Sequence, residues 1–253
     1  MRRTKIIFPL MGETLSGMAK ECEIGKSFHP DFFELRLDCL NDLSSLPFLI
    51  ESIKKKSEGK ELILTLRTKD EGGYFTKSRD EYYLLLKKFL DLPFPFLLDV
   101  EWDLEEEKLE KVVYLAKEKK IPLLFSKHFI KHTPPMEEMI HILLSMYRKG
   151  ATVCKLATWP KEEEDVWNLL FASRKAKELQ EDICLLTISM GALGRISRVA
   201  TSLSHSFATF AGSHLGQIKG EELARILELL EGSGNENECD AAFGDQRYRL
   251  PRT

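Results

Sequence analysis

The sequence has little net charge, no paired cysteines, no long apolar run and no glycine-rich dinucleotide turn. Each shortage removes a class of protein. Five cysteines occur, Cys22, Cys39, Cys154, Cys184 and Cys239, an odd number with no two at CxxC spacing. This argues against a disulfide framework and against a cysteine zinc site. Cys154 and Cys184 fall within apolar runs and read as small core residues. Free thiols fit a reducing cytoplasm, the expected location. The basic start, Met1-Arg2-Arg3-Thr4-Lys5, leads into Ile6-Ile7-Phe8, but Pro9 interrupts the run. Neither this run nor any later one has the length of a signal core or a membrane span. A net charge of -3 gives no general attraction to nucleic acid or to an anionic membrane, so neither is expected as a partner.

What remains is an ordinary globular mix, 43% hydrophobic and 30% charged, in 253 residues, enough for one large domain. Short β-rich runs recur at 5–8, 32–37, 62–66, 96–101, 122–126, 152–156, 184–188 and 207–210. Their mean spacing of roughly 30 residues is the size of a βα unit. Between them, 105–119, 136–148, 161–178 and 220–230 carry helical periodicity; the second follows Pro134-Pro135 and stops at Gly150. Eight such units predict an α/β fold, a single-domain (β/α)8 TIM barrel over 1–231. A doubly wound open sheet is the rival, but Gly12 and Gly17 lack the spacing of its usual first turn. Gly232-Ser233-Gly234-Asn235 reads as a linker, and 232–253 as a C-terminal tail with little periodicity.

Alternation along the strands places charge where a core is expected. In Phe33-Glu34-Leu35-Arg36-Leu37-Asp38 the apolar residues share one face and the charged residues the other. Ile63, Thr65 and Arg67 fall together, as do Asp99 and Glu101; Lys155 points opposite Cys154 and Leu156. Singly, each of these has a bland explanation as an edge or rim residue. Together they cluster near the C-terminal ends of strands, where barrels build active sites. A buried charge costs several kcal/mol unless it is paired or meets a ligand. In its neutral form a lysine amine such as Lys155 attacks a ketone to give a Schiff base. His128 is suited to move the proton that the iminium acidifies, and Glu71 to fix its tautomer. Arg36, Arg67 and Arg198 supply positive charge for a carboxylate or phosphate.

Further segments then make the resemblance specific. They are Thr65-Leu66-Arg67 with Glu71-Gly72-Gly73, Ser126-Lys127-His128 with Thr133-Pro134, and Cys154-Lys155-Leu156-Ala157. Ile188-Ser189-Met190-Gly191 with Ile196-Ser197-Arg198, and Gly216-Gln217-Ile218, complete the series. In order and spacing the set resembles type I 3-dehydroquinate dehydratase, a shikimate-pathway lyase of aromatic amino-acid biosynthesis. The resemblance implies dehydration of 3-dehydroquinate to 3-dehydroshikimate through a Lys155 imine. It implies His128 as general base and acid, supported by Glu71. Arg198 would bind the substrate carboxylate with Gln217 nearby; Glu34, Arg67 and Ser213 would bind ring hydroxyls. Arg36 would set the electrostatics of the imine, and Met190 and Phe210 would pack around the ring. It implies no cofactor and no metal, because the lysine is itself the electron sink, and it implies a homodimer.

Phe129 follows His128 where the family often has an acidic residue, and His132 is a neighbouring candidate base. Ser213-His214-Leu215 replaces the small residues or proline usual in the covering loop. Two other readings stay open. A lysine Schiff-base aldolase would need a phosphate cup after the last strands, for which Ala211-Gly212-Ser213 is a thin candidate. A barrel that binds a carboxylate ligand or a protein without catalysis is the other.

Overall fold

The computed structural model describes residues 4–212 and 218–231. Strands β1 (Lys5–Leu10), β2 (Phe32–Arg36), β3 (Glu61–Thr65) and β4 (Leu97–Glu101) form one half of a sheet. Strands β5 (Leu123–Phe129), β6 (Val153–Thr158), β7 (Leu185–Ser189) and β8 (Ala208–Phe210) form the other. Each is followed by a helix: α1 (Leu15–Lys26), α2 (Leu46–Lys56), α3 (Arg79–Leu90), α4 (Glu106–Lys119), α5 (Met136–Arg148), α6 (Glu163–Leu179), the short α7 (Thr201–Ser204) and α8 (Gly220–Glu231). The strands are parallel, in the order β7-β6-β5-β4-β3-β2-β1-β8. The ring closes between β7 and the residues just before β8, at the bridge Leu185↔Ser206. There the Phe207 N–H donates to the Leu185 carbonyl at 2.8 Å, and the Thr187 N–H donates to Ser206 Oγ at 3.1 Å. The fold is therefore the (β/α)8 barrel.

Pro9 does not interrupt β1, contrary to the sequence expectation. The Lys5 N–H donates to the Phe207 carbonyl and the Ile7 carbonyl accepts from the Ala211 N–H, so this side of β1 faces β8. Pro9 faces the same way by alternation, but pairing with β8 ends at Ile7↔Phe210. Its missing N–H thus removes no bond from the ladder.

Two apolar layers hold the barrel. The outer one packs strand residues such as Phe33, Leu35, Leu64 and Leu98 under the helices. At Gly25 helix α1 touches the rings of Phe8 and Phe33 so closely that a Cβ would lie 2.7 Å from one and 2.8 Å from the other. The inner layer plugs the barrel with Ile7, Phe32, Ile63, Leu97, Leu124, Val153 and Leu186. Full burial of one such aliphatic side chain stabilises the fold by about 1.5–3 kcal/mol. Two residues further along the same strands the inward positions turn polar. Phe32 gives way to Glu34, Ile63 to Thr65, Leu97 to Asp99, Leu124 to Ser126 and Val153 to Lys155. The site therefore rests on the plug. Among the described residues no helix is long and apolar enough to cross a membrane. The linker and tail at 232–253 lie outside the described residues.

Candidate active site

A cavity of about 380 Å³ opens at the C-terminal ends of the strands. Glu34, Arg36, Arg67, Glu71, His128, Lys155 and Arg198 all line it. Ser213 and Gln217, the other two expected site residues, lie outside the described residues. Met190 and Phe210 form part of the apolar wall with Ile188 and Trp159. His132, the alternative base, is not among the lining residues and packs edge-on against Phe129, centroids 5.4 Å apart.

Lys155 is 4% exposed in the middle of β6. Its Nζ lies 3.3 Å from Asp99 Oδ2, 3.5 Å from Glu34 Oε1 and 4.9 Å from the centre of the Phe210 ring. Glu34 is oriented in turn by Thr65, whose hydroxyl donates to Oε1 at 2.9 Å.

Arg67 is the hub of the buried charges. Its Nη2 donates to Asp99 Oδ2 at 2.7 Å; its Nη1 donates to Ser126 Oγ at 2.8 Å, Glu101 Oε1 at 3.2 Å and Glu71 Oε2 at 3.3 Å. Glu101 is also bound by Arg79 at 2.6 Å and by the Thr68 hydroxyl and N–H. Burial opposes the charge on Arg67, but Asp99, Glu71 and Glu101 outweigh it and raise the guanidinium above its ordinary value. Arg36 holds Asp38 through two bonds, Nε to Oδ1 at 2.9 Å and Nη2 to Oδ2 at 2.7 Å. Burial pushes Asp38 up, yet Arg36 and the N–H groups of Tyr74 and Arg67 bring it below the usual carboxylate range.

These same N–H groups tie down the loop that carries Glu71. Lys69–Glu71 make a single 3-10 turn that ends at Gly72, whose φ of 85° suits glycine. Gly73 crosses the Arg67 carbonyl so closely that a Cβ there would sit 2.1 Å from its oxygen. The Glu-Gly-Gly sequence thus turns the chain back over Arg67 and delivers Glu71 to His128. Glu71 Oε2 lies 2.7 Å from His128 Nδ1 and accepts from the His128 N–H at 3.1 Å. Burial, then the charges of Arg67, Lys155, Arg36 and Lys127, hold His128 well below the usual histidine range. Burial pushes Glu71 up to about 8, against the pull of Arg67. The pair therefore keeps one shared proton below about that pH. Once it is lost, Nδ1–H donates to the carboxylate and Nε2 is left as a base.

Arg198 closes a different side of the cavity from the 3-10 segment Leu193–Arg198. It is 6% exposed and its Nη1 donates to the Phe210 carbonyl at 3.4 Å. Burial and Arg195 pull it down to about 10, so it is a cation at neutral pH. Among the described residues no group of three or more His, Cys, Asp or Glu side chains is placed to hold a metal ion.

Sequence reasoning found Asp99 and Glu101 on the inward face of β4 but gave them no part in the site. Their importance lies in cross-strand partners, which alternation alone does not identify. Trp159, to which the sequence assigns no role, lines the cavity, 42% exposed, with its backbone N–H donating to the His132 carbonyl at 3.2 Å.

Fold and side chains together define a (β/α)8-barrel enzyme, with a buried amine, a histidine–carboxylate pair and a separate cationic wall around one small cavity. Residues 6–233 match the family model described as type I 3-dehydroquinase. The chain is 33% identical over 233 residues to the 3-dehydroquinate dehydratase of Bacillus subtilis strain 168, covering 89% of this chain and 91% of that one. It is 32% identical over 240 residues to the same enzyme of Neisseria meningitidis strain FAM18, covering 92% and 94%. In three dimensions it matches the type I 3-dehydroquinate dehydratase of Clostridium difficile, solved with covalent modified comenic acid. That match has a TM-score of 0.86 at 30% identity, over 93% of this chain and 95% of that one. The chain belongs to the type I 3-dehydroquinase family, and it is a lyase.

Proposed function

We propose that the protein dehydrates 3-dehydroquinate to 3-dehydroshikimate in the shikimate pathway, through an imine on Lys155. The observation that carries this is the convergence of Lys155, His128 with Glu71, and Arg198 on one cavity. Lys155 Nζ gives up its ammonium proton and adds to the substrate ketone; the carbinolamine takes a proton back as its hydroxyl leaves as water, which gives an iminium. The iminium withdraws electrons, and His128 takes a proton from the adjacent carbon to form an enamine. The enamine expels the hydroxyl one carbon further on, which leaves as water with the proton returned by the imidazolium. Hydrolysis of the imine frees the conjugated ketone and restores Lys155. The net change is the loss of one water, with the lysine as electron sink and no cofactor or metal.

In this scheme Arg198 binds the substrate carboxylate, with Ser213 and Gln217 as further substrate contacts. Glu34 and Arg67 bind ring hydroxyls, and Arg36 sets the charge near the imine. Covalent modified comenic acid in the Clostridium difficile relative is in keeping with such chemistry. The proposal extends to a cytoplasmic homodimer whose barrel ends near residue 231, with 232–253 as a separate tail. The test is direct: the enzyme and 3-dehydroquinate should generate the ultraviolet absorbance of a conjugated enone acid, and Lys155→Ala should abolish it. Equal turnover by Lys155→Ala would refute the scheme. Light scattering at twice the chain mass would support the dimer.

A further inference from the structure

One carboxylate beside the reacting amine has no role in that scheme. Asp99 is 1% exposed and is not among the residues that line the cavity. Its Oδ2 meets Lys155 Nζ at 3.3 Å and Arg67 Nη2 at 2.7 Å, while Oδ1 accepts from Ser126 Oγ at 2.6 Å. The carboxylate is thus fixed from β5 and from the loop just after β3, and contacts the amine from outside the cavity lining. Burial pushes its pKa up, but Arg67 and Lys155 outweigh this and keep it below the usual carboxylate range. Glu34 also approaches Nζ, at 3.5 Å, yet Glu34 lines the cavity and is free to engage a substrate hydroxyl. Among the described residues only Asp99 is both against the amine and outside the cavity lining.

We propose that Asp99 is the positioning residue for Lys155: it aims Nζ at the cavity and stays beside it as the counter-ion of the iminium. The proposal rests on the imine scheme above. Once Nζ has added to the ketone carbon and water has left, the protonated imine carries its positive charge on the nitrogen that Asp99 Oδ2 faces. Asp99 neither gains nor loses a proton in this step. Arg67 and Ser126 hold its two oxygens still, so the same carboxylate meets the ammonium before the addition and the iminium after it without reorganisation. Ser126 is accordingly a second, weaker part of the same device, because it touches Asp99 and Arg67 and not Lys155.

The experiment uses full-length Asp99→Asn and Ser126→Ala, mixed rapidly with saturating 3-dehydroquinate and quenched with borohydride at intervals. The rate of adduct formation on Lys155 is read by mass spectrometry, and kcat and KM are measured alongside. A displaced nucleophile loses about 10²-fold in rate, the loss expected for Asp99→Asn. Ser126→Ala, which removes one hydrogen bond to the carboxylate, should lose about threefold to tenfold. KM should stay within about twofold in both, because neither residue meets substrate. A purely structural defect would lower the active fraction without slowing the adduct rate of the molecules that react. Unchanged adduct rates, or a raised KM at an unchanged rate, would overturn the proposal. If Asp99→Asn does not fold, Ser126→Ala decides alone, and a wild-type adduct rate in it refutes the device. Absence of any adduct in the wild type would instead overturn the imine scheme itself.

Discussion

Glu71→Gln separates the charge of the histidine–carboxylate pair from its geometry. Three donors converge on or beside one oxygen of Glu71: His128 Nδ1 at 2.7 Å, the His128 N–H at 3.1 Å and Arg67 Nη1 at 3.3 Å. An amide NH2 placed there would face two fixed donors, so the variant must present its oxygen at this position. The other atom, Oε1, has no hydrogen-bond partner, and Lys127 Nζ lies 3.7 Å from it, so the NH2 takes the position with the fewer donors. His128 therefore keeps its tautomer, and what disappears is the negative charge that stabilises the imidazolium. A hydrogen bond to a charged group contributes about 1.5–3 kcal/mol and a neutral one about 0.5–1.5. The difference, about 1–1.5 kcal/mol, predicts a fall in kcat of roughly tenfold. The pH profile supplies a second readout. In the wild type the base form of the pair appears only as its shared proton leaves, so activity should climb with pH up to about 8. In Glu71→Gln that proton has no carboxylate, and burial and the neighbouring cations keep His128 neutral to lower pH. The acid limb of kcat/KM should then move to lower pH. A limb that stays in place, or a loss of several thousandfold, would refute the account, the second by pointing to a flipped tautomer.

Three further outcomes are expected. His128→Ala should lose turnover by about 10²–10⁴-fold while still forming a borohydride-reducible imine; near-normal kcat would return His132 or water to consideration as the base. Arg198→Ala should raise KM by about 10- to 10²-fold, the value of a charge-assisted bond to a carboxylate, and an unchanged KM would contradict that role. In acid, Asp38 and Asp99 have folded pKa values below their ordinary 3.8. Their stabilisation is present above that pH and is lost as the pH falls through the lower folded values. Urea titrations from pH 5 downward should show wild-type stability dropping, and Asp38→Asn should show a shallower drop from a lower starting point.

Much of this was legible because alternation in parallel strands is strict. Glu34, Arg36, Arg67 and Lys155 announced an inward polar layer, and helix α5 ran over 136–148 as its Pro-Pro start and Gly150 stop implied. Strand ends were less legible. β5 continues past Ser126 through Phe129, because its ladder with β6 extends to Phe129↔Thr158. No apolar run marks Lys127 and His128, so that extension could not be read locally. Pro9 looked like a break because its one-sided pairing is a property of the barrel and not of the strand. In the site, each charge was visible but its partner was not. Whether Asp99 meets Lys155 or another residue depends on strand register and side-chain reach across β4, β5 and β6.

The central claim is that Lys155 forms a covalent imine with the substrate. The most direct measurement is borohydride reduction of the enzyme in the presence of 3-dehydroquinate, followed by peptide mapping. The account predicts one stable adduct, on Lys155, with activity lost in proportion to labelling. Full activity after reduction, or an adduct on Lys127 or another lysine with Lys155 unmodified, would contradict it.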